Sequence, residues 1–301
     1  MSPGGPPQPE AGPEERLAAL RARLARGEAL RGDLARQVFR AAADLDPTAT
    51  EDTLGPLAGN GGLQLYRSLV QWAGLVRRER VVDVGCGSGG ASRAAAEAVG
   101  DEGIVVGVDP SPAAVRAAQA RTPIDLPVVY VEGVAERLSM VPDRGADCVV
   151  ASLVLDQIDD LAPFAREVHR VLRPGGRMVA SVMDWDQLRP ADARLHGAVL
   201  AVLARHARGA LAGLAVRPTV PRGRAEAAAF RGAGLASVEE RDGQLVAELP
   251  DVAAALRLYG RSVTGLLLGE EGLRELATAV ARHVPHTLYL PVRLLRTRRP
   301  G

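Results

Sequence analysis

A chain of 301 residues, 24% charged and 47% hydrophobic, can bury a sizeable core in one or two domains. Its formal net charge of +1 gives no electrostatic case for nucleic acid or a membrane surface. All 37 basic residues are arginine, which excludes Schiff-base lysine chemistry and Walker-type phosphate binding. The excess of Ala, Gly and Pro is what a GC-rich genome produces. The two cysteines, Cys86 and Cys148, make neither a disulfide framework nor a zinc site, and no metal is expected. The N-terminus lacks the basic start and apolar run of a signal peptide, and no apolar stretch is long enough to span a bilayer. The cytoplasm is the simplest setting.

Residues 1–12 are rich in Pro and Gly and read as a disordered tail. A helical extension follows over 13–62. Leu17, Leu20, Leu24, Leu30, Leu34 and Val38 recur at helical spacing, with breaks at Gly27 and Gly32. This amphipathic stripe suits packing or a homodimer face. Residues 46–62 form a loop-rich joint, and Leu63 to Leu75 reads as a helix.

Strands and helices then alternate. Apolar runs at 81–84, 104–109, 127–133, 147–153 and 177–184 read as strands. The helices fall at 91–99, 111–120 and 162–172. Such alternation implies a parallel sheet covered on both faces, with right-handed crossovers and a doubly wound order. Beyond Trp185 lie an Ala/Leu-rich helical stretch over 190–216, a helix from Arg224 to Ala233, and a strand over 236–249 with a turn-like Asp242-Gly243. A helical stretch over 251–284 precedes a terminal strand over 286–297, in which Pro291 suggests an edge or a bulge. The expected α/β domain is 63–301: a core at 78–186, a helical roof at about 187–222 and a C-terminal part at 223–301.

The stretch VVDVGCGSG (81–89) carries the strongest functional signal. A strand that turns on close glycines into a helix leaves backbone N–H groups facing a ligand. Gly85, Gly87 and Gly90 fit the dinucleotide fingerprint G-x-G-x-x-G, which would indicate a nicotinamide oxidoreductase. Asp83, Gly85, Gly87 and Gly89 fit a second template, acid-x-G-x-G-x-G. Both expect an acid at the end of the next strand to hold a ribose diol, and Asp109 sits there.

DVGCGSG, GVDPS, DCVVASLVLDQIDD and VLRPGG occur in that order. Together they resemble the class I S-adenosylmethionine-dependent methyltransferases, especially the small-molecule branch. The resemblance covers residues 63–184 and continues more weakly through the last two strands. It implies a Rossmann-like sheet of seven strands, mostly parallel with an antiparallel last strand, and S-adenosylmethionine as cofactor. It implies that Gly85, Gly87 and Gly89, with Cys86 between them as a small packing residue, lay the backbone against the methionine end and ribose. Asp83 would order the turn and approach the cofactor's amino group. Asp109 would hold the ribose hydroxyls and Pro110 would border the adenine.

Where the family shows Gly-Asp-Ala, this chain has Gly133-Val134-Ala135, with Glu136 as a substitute acid. Val134 would pack on the adenine, and the Ala135 N–H would meet a ring nitrogen. The Ser152 carbonyl would meet the cofactor's amino group. Gln157 stands where many relatives carry a His. It cannot take a proton and can only orient cofactor or substrate. Tyr66, Asp184, Trp185, His196 and His206 are candidates for the substrate lining, and His196 is the candidate base. The expected reaction is methyl transfer to an O, N or C nucleophile of a small molecule, in secondary metabolism or other biosynthesis. The alternative keeps the cofactor without methyl transfer, as in pericyclic or decarboxylation chemistry.

Overall fold

A computed structural model describes residues 11–57, 64–158, 160–214 and 224–301. Most of the tail, part of the joint after residue 57, and the end of the roof lie outside them. The chain begins with α1 (Pro13–Ala25), α2 (Gly32–Leu45), α3 (Ala49–Leu54) and α4 (Leu65–Ala73). The alternating core is β1 (Arg80–Val84), α5 (Gly90–Val99), β2 (Ile104–Asp109), α6 (Pro112–Arg121), β3 (Val128–Glu132), β4 (Ala146–Ser152), α7 (Leu161–Val171) and β5 (Leu172–Met183). Then come α8 (Pro190–His206), α9 (Leu211–Leu214), α10 (Arg224–Gly232), β6 (Glu239–Leu249), α11 (Val252–Gly260), α12 (Val263–Val280) and β7 (His286–Arg298).

The seven strands form one sheet in the order β3-β2-β1-β4-β5-β7-β6. Strands β1 to β5 pair in parallel, and β7 runs antiparallel to both β5 and β6. This is the doubly wound sheet that the alternating pattern implied. Side chains alternate between its faces as period-two geometry requires. Val81, Cys148 and Val150 join one buried cluster, whereas Val82, Val84, Val149 and Ala151 join another with Phe164, Val168 and Phe230. The chain winds outward from β1 to β3, then returns to place β4 on the other side of β1. That reversal opens a crevice beyond the carboxyl ends of β1 and β4.

Three local expectations are corrected. Asp242-Gly243 makes no turn: β6 runs straight through it, with Asp242 opposite Arg293 and Gly243 opposite Val292. A partner strand on that side holds the residues extended, against their turn preference. Pro291 is not on an edge strand, because β7 lies between β5 and β6. It is tolerated there because β5 pairs only as far as Met183 opposite Val292, and Pro291 gives its carbonyl to the Asp184 N–H at 2.9 Å. The leucine stripe of the extension is not a free dimer face. Leu17, Leu20, Leu24, Leu30, Leu34 and Val38 are all buried within the chain, in the same cluster as Leu195, Leu203 and Leu267 of the roof and C-terminal part.

VLRPGG builds an irregular entry to β5. Leu172 sits opposite Ala146, and the next pair is Arg177 opposite Cys148, so Arg173 to Gly176 loop out between them. Arg177 is then buried, pairing with Glu79 through two bonds of 2.8 and 2.7 Å. The same guanidinium donates to the carbonyls of Ala73 and Gly74 and anchors the end of α4 to the sheet.

Candidate active site

The glycine turn leaves β1 with Gly85, Gly87 and Gly89 all at positive φ, a region that costs other residues strain. The Gly85 and Cys86 N–H groups both donate to the Val108 carbonyl, at 2.8 and 3.1 Å, which folds the turn against β2. Space decides the two inner glycines differently. A Cβ on Gly85 would stand 2.2 Å from Val154 Cγ2, whereas one on Gly87 would meet nothing within 4 Å. Gly87 therefore presents bare backbone to open space.

That space is a cleft of about 820 Å³, within the range of ligand pockets. Gly85, Cys86 and Gly87 line it together with Asp109, Pro110, Val134, Ala135, Ser152 and Gln157. Asp109 accepts the Gly87 N–H on one carboxylate oxygen and the Ser111 N–H on the other, each at 2.9 Å. Burial raises its pKa, opposed by those two bonds. Each oxygen keeps a lone pair for a further donor. Val134 is 45% exposed on the cleft wall, as a side chain meant to pack on a ligand would be.

Asp83 stands behind the turn and does not line the cleft. It is buried and accepts the Ser92 hydroxyl on one oxygen, while the other has no hydrogen-bond partner among the described residues. Burial pushes its carboxyl up to about 7, the Ser92 bond opposing. It orders the turn and the start of α5. Gly89 also lies off the cleft, as the residue that caps α5. Cys86 packs with Val115, Ala118 and Tyr130, and burial raises its thiol well above the usual range. Gln157 turns back on its own loop, where its side-chain amide donates to the Leu153 carbonyl at 3.1 Å.

Helices α2 and α3 cover the turn, which sequence reasoning did not foresee. Glu51 accepts the Ser88 hydroxyl at 2.6 Å and pairs with Arg93. Asp44 accepts the Ser111 hydroxyl at 2.7 Å. Arg261, between α11 and α12, donates to both oxygens of Asp46 at 2.8 Å. Tyr66 lines the cleft at this end, against Gly90. The hydrogen bonds among these contacts join residues 37 to 215 positions apart, so no local motif announces them.

At the other end, Trp185 and His196 stack with ring centroids 4.5 Å apart and planes 8° from parallel. His196 is 9% exposed, and neither ring nitrogen has a hydrogen-bond partner among the described residues. Burial lowers its pKa and keeps the imidazole neutral. Asp184 lies 3.9 Å from Arg293, which also reaches Glu226 at 3.1 Å and Glu240 at 3.4 Å. Met183, Leu258, Tyr259 and Leu290 also line the cleft. His206 does not reach it. Ten residues beyond His196, roughly 15 Å along the helix, its Nε2 meets Glu275 at 2.7 Å on the far side of the roof.

A family model described as a methyltransferase domain matches residues 82–180, which hold the glycine turn, Asp109 and the start of β5. Residues 82–180 carry a methyltransferase domain of the class I S-adenosylmethionine-dependent type. The dinucleotide reading of the glycines falls with that match. The 2-methyl-6-phytyl-1,4-hydroquinone methyltransferase of Synechocystis sp. is 34% identical over 145 residues, 47% of this chain and 42% of that protein. The 2-phytyl-1,4-naphtoquinone methyltransferase of Synechococcus elongatus is 31% identical over 154 residues, 46% of this chain and 65% of that protein. The chain spans about half the length of the curated relatives it matches.

A putative methyltransferase of an antibiotic biosynthesis pathway from Anabaena variabilis aligns with a TM-score of 0.57 at 20% identity, over 81% of this chain and 98% of that one. The YcgJ protein of Bacillus subtilis aligns with a TM-score of 0.55 at 18% identity, over 78% and 98%. Both show the methyltransferase fold. The cofactor of this family is S-adenosylmethionine, and the residues present fit it: bare backbone at Gly87, a carboxylate at Asp109 with free lone pairs, and an apolar wall at Val134.

Proposed function

We propose that the chain methylates an acidic oxygen or carbon of an apolar small molecule, with His196 as the general base. One observation carries this reading: a buried, neutral histidine with both ring nitrogens unpartnered among the described residues opens onto the same cleft as the glycine turn. S-adenosylmethionine, when bound, supplies a methyl group on a positively charged sulfur. Asp109 would take the ribose hydroxyls, Pro110 and Val134 would border the adenine, and the backbone of Gly85 to Gly87 would lie along the rest. The N–H of Ala135 and the carbonyl of Ser152 offer further polar contacts. Trp185 fixes the His196 ring, and Met183, Leu258 and Leu290 exclude water from it. His196 then accepts the proton of the substrate nucleophile. The hydroquinone and naphthoquinone methyltransferases among the relatives support a substrate with an acidic hydroxyl or ring carbon, handled in biosynthesis.

A second reading retains the cofactor without methyl transfer. Val134 in place of an acid, and Gln157 turned back onto Leu153, favour it. Substrate conversion that yields S-adenosylhomocysteine supports the first reading; conversion without it supports the second. Replacing His196 by Gln should abolish most turnover while leaving S-adenosylhomocysteine affinity unchanged. Unchanged turnover would remove His196 as the base.

A further inference from the structure

Tyr259 lies near the end of α11. It lines the cleft, is 7% exposed, and its hydroxyl has no hydrogen-bond partner among the described residues. His196, on α8, lines the same cleft. Asp192, one turn before His196 on that helix, is occupied by Arg189 and by His286 Nε2 at 2.7 Å.

Two polar groups, each about nine-tenths buried and unpartnered among the described residues, open on one cleft that Met183, Leu258, Leu266 and Leu290 also line. Buried polar groups in folded proteins are almost always satisfied, and an orphan is expensive. Two orphans at one cleft call for one ligand that satisfies both. Burial keeps the phenol protonated, so Tyr259 offers a donor; it keeps the imidazole neutral, so His196 offers an acceptor nitrogen.

We propose that Tyr259 and His196 grip the substrate through two of its oxygens, so that the substrate is an apolar ring compound with an acidic hydroxyl held by His196 and a second oxygen that accepts from Tyr259. A hydrocarbon with a single hydroxyl leaves one of the two groups unsatisfied. A free carboxylate brings no proton to His196. This inference rests on the methyl-transfer reading for its setting, and Tyr259 is in it a specificity residue, with no proton of its own to move.

The test uses the full chain saturated with S-adenosylhomocysteine, titrated calorimetrically with the dihydroxynaphthalene isomers, the two naphthols and naphthalene. At least one diol should bind about tenfold more tightly than either naphthol, the margin expected of one buried hydrogen bond. Tyr259→Phe, which keeps the ring packing, should erase that margin and leave the naphthol affinity alone. His196→Gln should weaken diol and naphthol alike. If no diol outbinds the naphthols, or if Tyr259→Phe retains the margin, the two-oxygen grip is wrong. Failure of S-adenosylhomocysteine to bind in the first step would instead overturn the cofactor reading, and the variants' own affinity for it reports whether they fold.

Discussion

The Ser88 hydroxyl donates to the Glu51 carboxylate at 2.6 Å, which ties α3 to the glycine turn. Arg93 completes the junction, pairing with Glu51 and donating to the Ser88 carbonyl at 2.8 Å. The extension is therefore part of the cleft wall at the glycine turn. Replacing Glu51 by Ala leaves the Arg93 guanidinium without its main partner and frees α3. The cost of losing a hydrogen bond to a charged group, about 1.5–3 kcal/mol, should appear as roughly a tenfold loss or more in S-adenosylhomocysteine affinity. Calorimetry showing wild-type affinity would detach the extension from cofactor binding.

The base assignment carries a pH signature. Burial holds the His196 pKa below the ordinary value of 6.5. A general base must be deprotonated to act, so kcat/KM should be flat through neutral pH and fall only in acid, below the usual histidine range. In His196→Gln that acid limb should vanish and kcat should drop by about a hundredfold or more. Persistence of the limb would assign it to another group.

Asp83 makes stability depend on pH in the opposite sense from most carboxylates. Its folded pKa is raised from 3.8 to about 7 by burial. The folded state therefore holds the proton more tightly than the unfolded chain, and its stabilising contribution is lost as pH rises through that interval. The melting temperature of the wild type, measured from pH ~5 to ~8, should fall relative to that of Asp83→Asn, which cannot ionise. Parallel curves for the two proteins would show that Asp83 does not titrate there.

The buried pair of Arg177 and Glu79 is a structural counterpart. Arg177→Leu strands the Glu79 carboxylate and the carbonyls of Ala73 and Gly74 at once. Denaturant unfolding should record a loss of about 3–5 kcal/mol, the range for breaking a buried pair. Adding Glu79→Leu should recover part of it, because removing both charges is cheaper than removing one. A double variant no more stable than Arg177→Leu would place the cost in the two carbonyls instead.

The legible parts of this molecule are those that local sequence controls. Each strand of the parallel core announces itself by a short apolar run, and the turn by glycines that must take positive φ. Asp109 follows from its place at the end of β2, two residues before a helix cap. The misread parts depend on distant partners. Asp242-Gly243 has the chemistry of a turn, yet β7 lies alongside and keeps it in the ladder. His206 and His196 look equivalent in the sequence of α8, and only the packing of that helix against α12 separates them. Tyr259, Arg293 and Glu51 had no motif to mark them. Their roles arise where α11, β7 and α3 converge on a cleft whose first landmark lies near residue 85.

Arg261 lies two residues after Tyr259 and holds Asp46, at the end of α2, by two bonds of 2.8 Å. One short stretch of chain thus lines the cleft through Tyr259 and, through Arg261, fastens the end of α2, which covers the glycine turn. The two ends of the cleft are thereby tied through two residues of covalent chain, so that a change of backbone at Gly260 would bear on both at once.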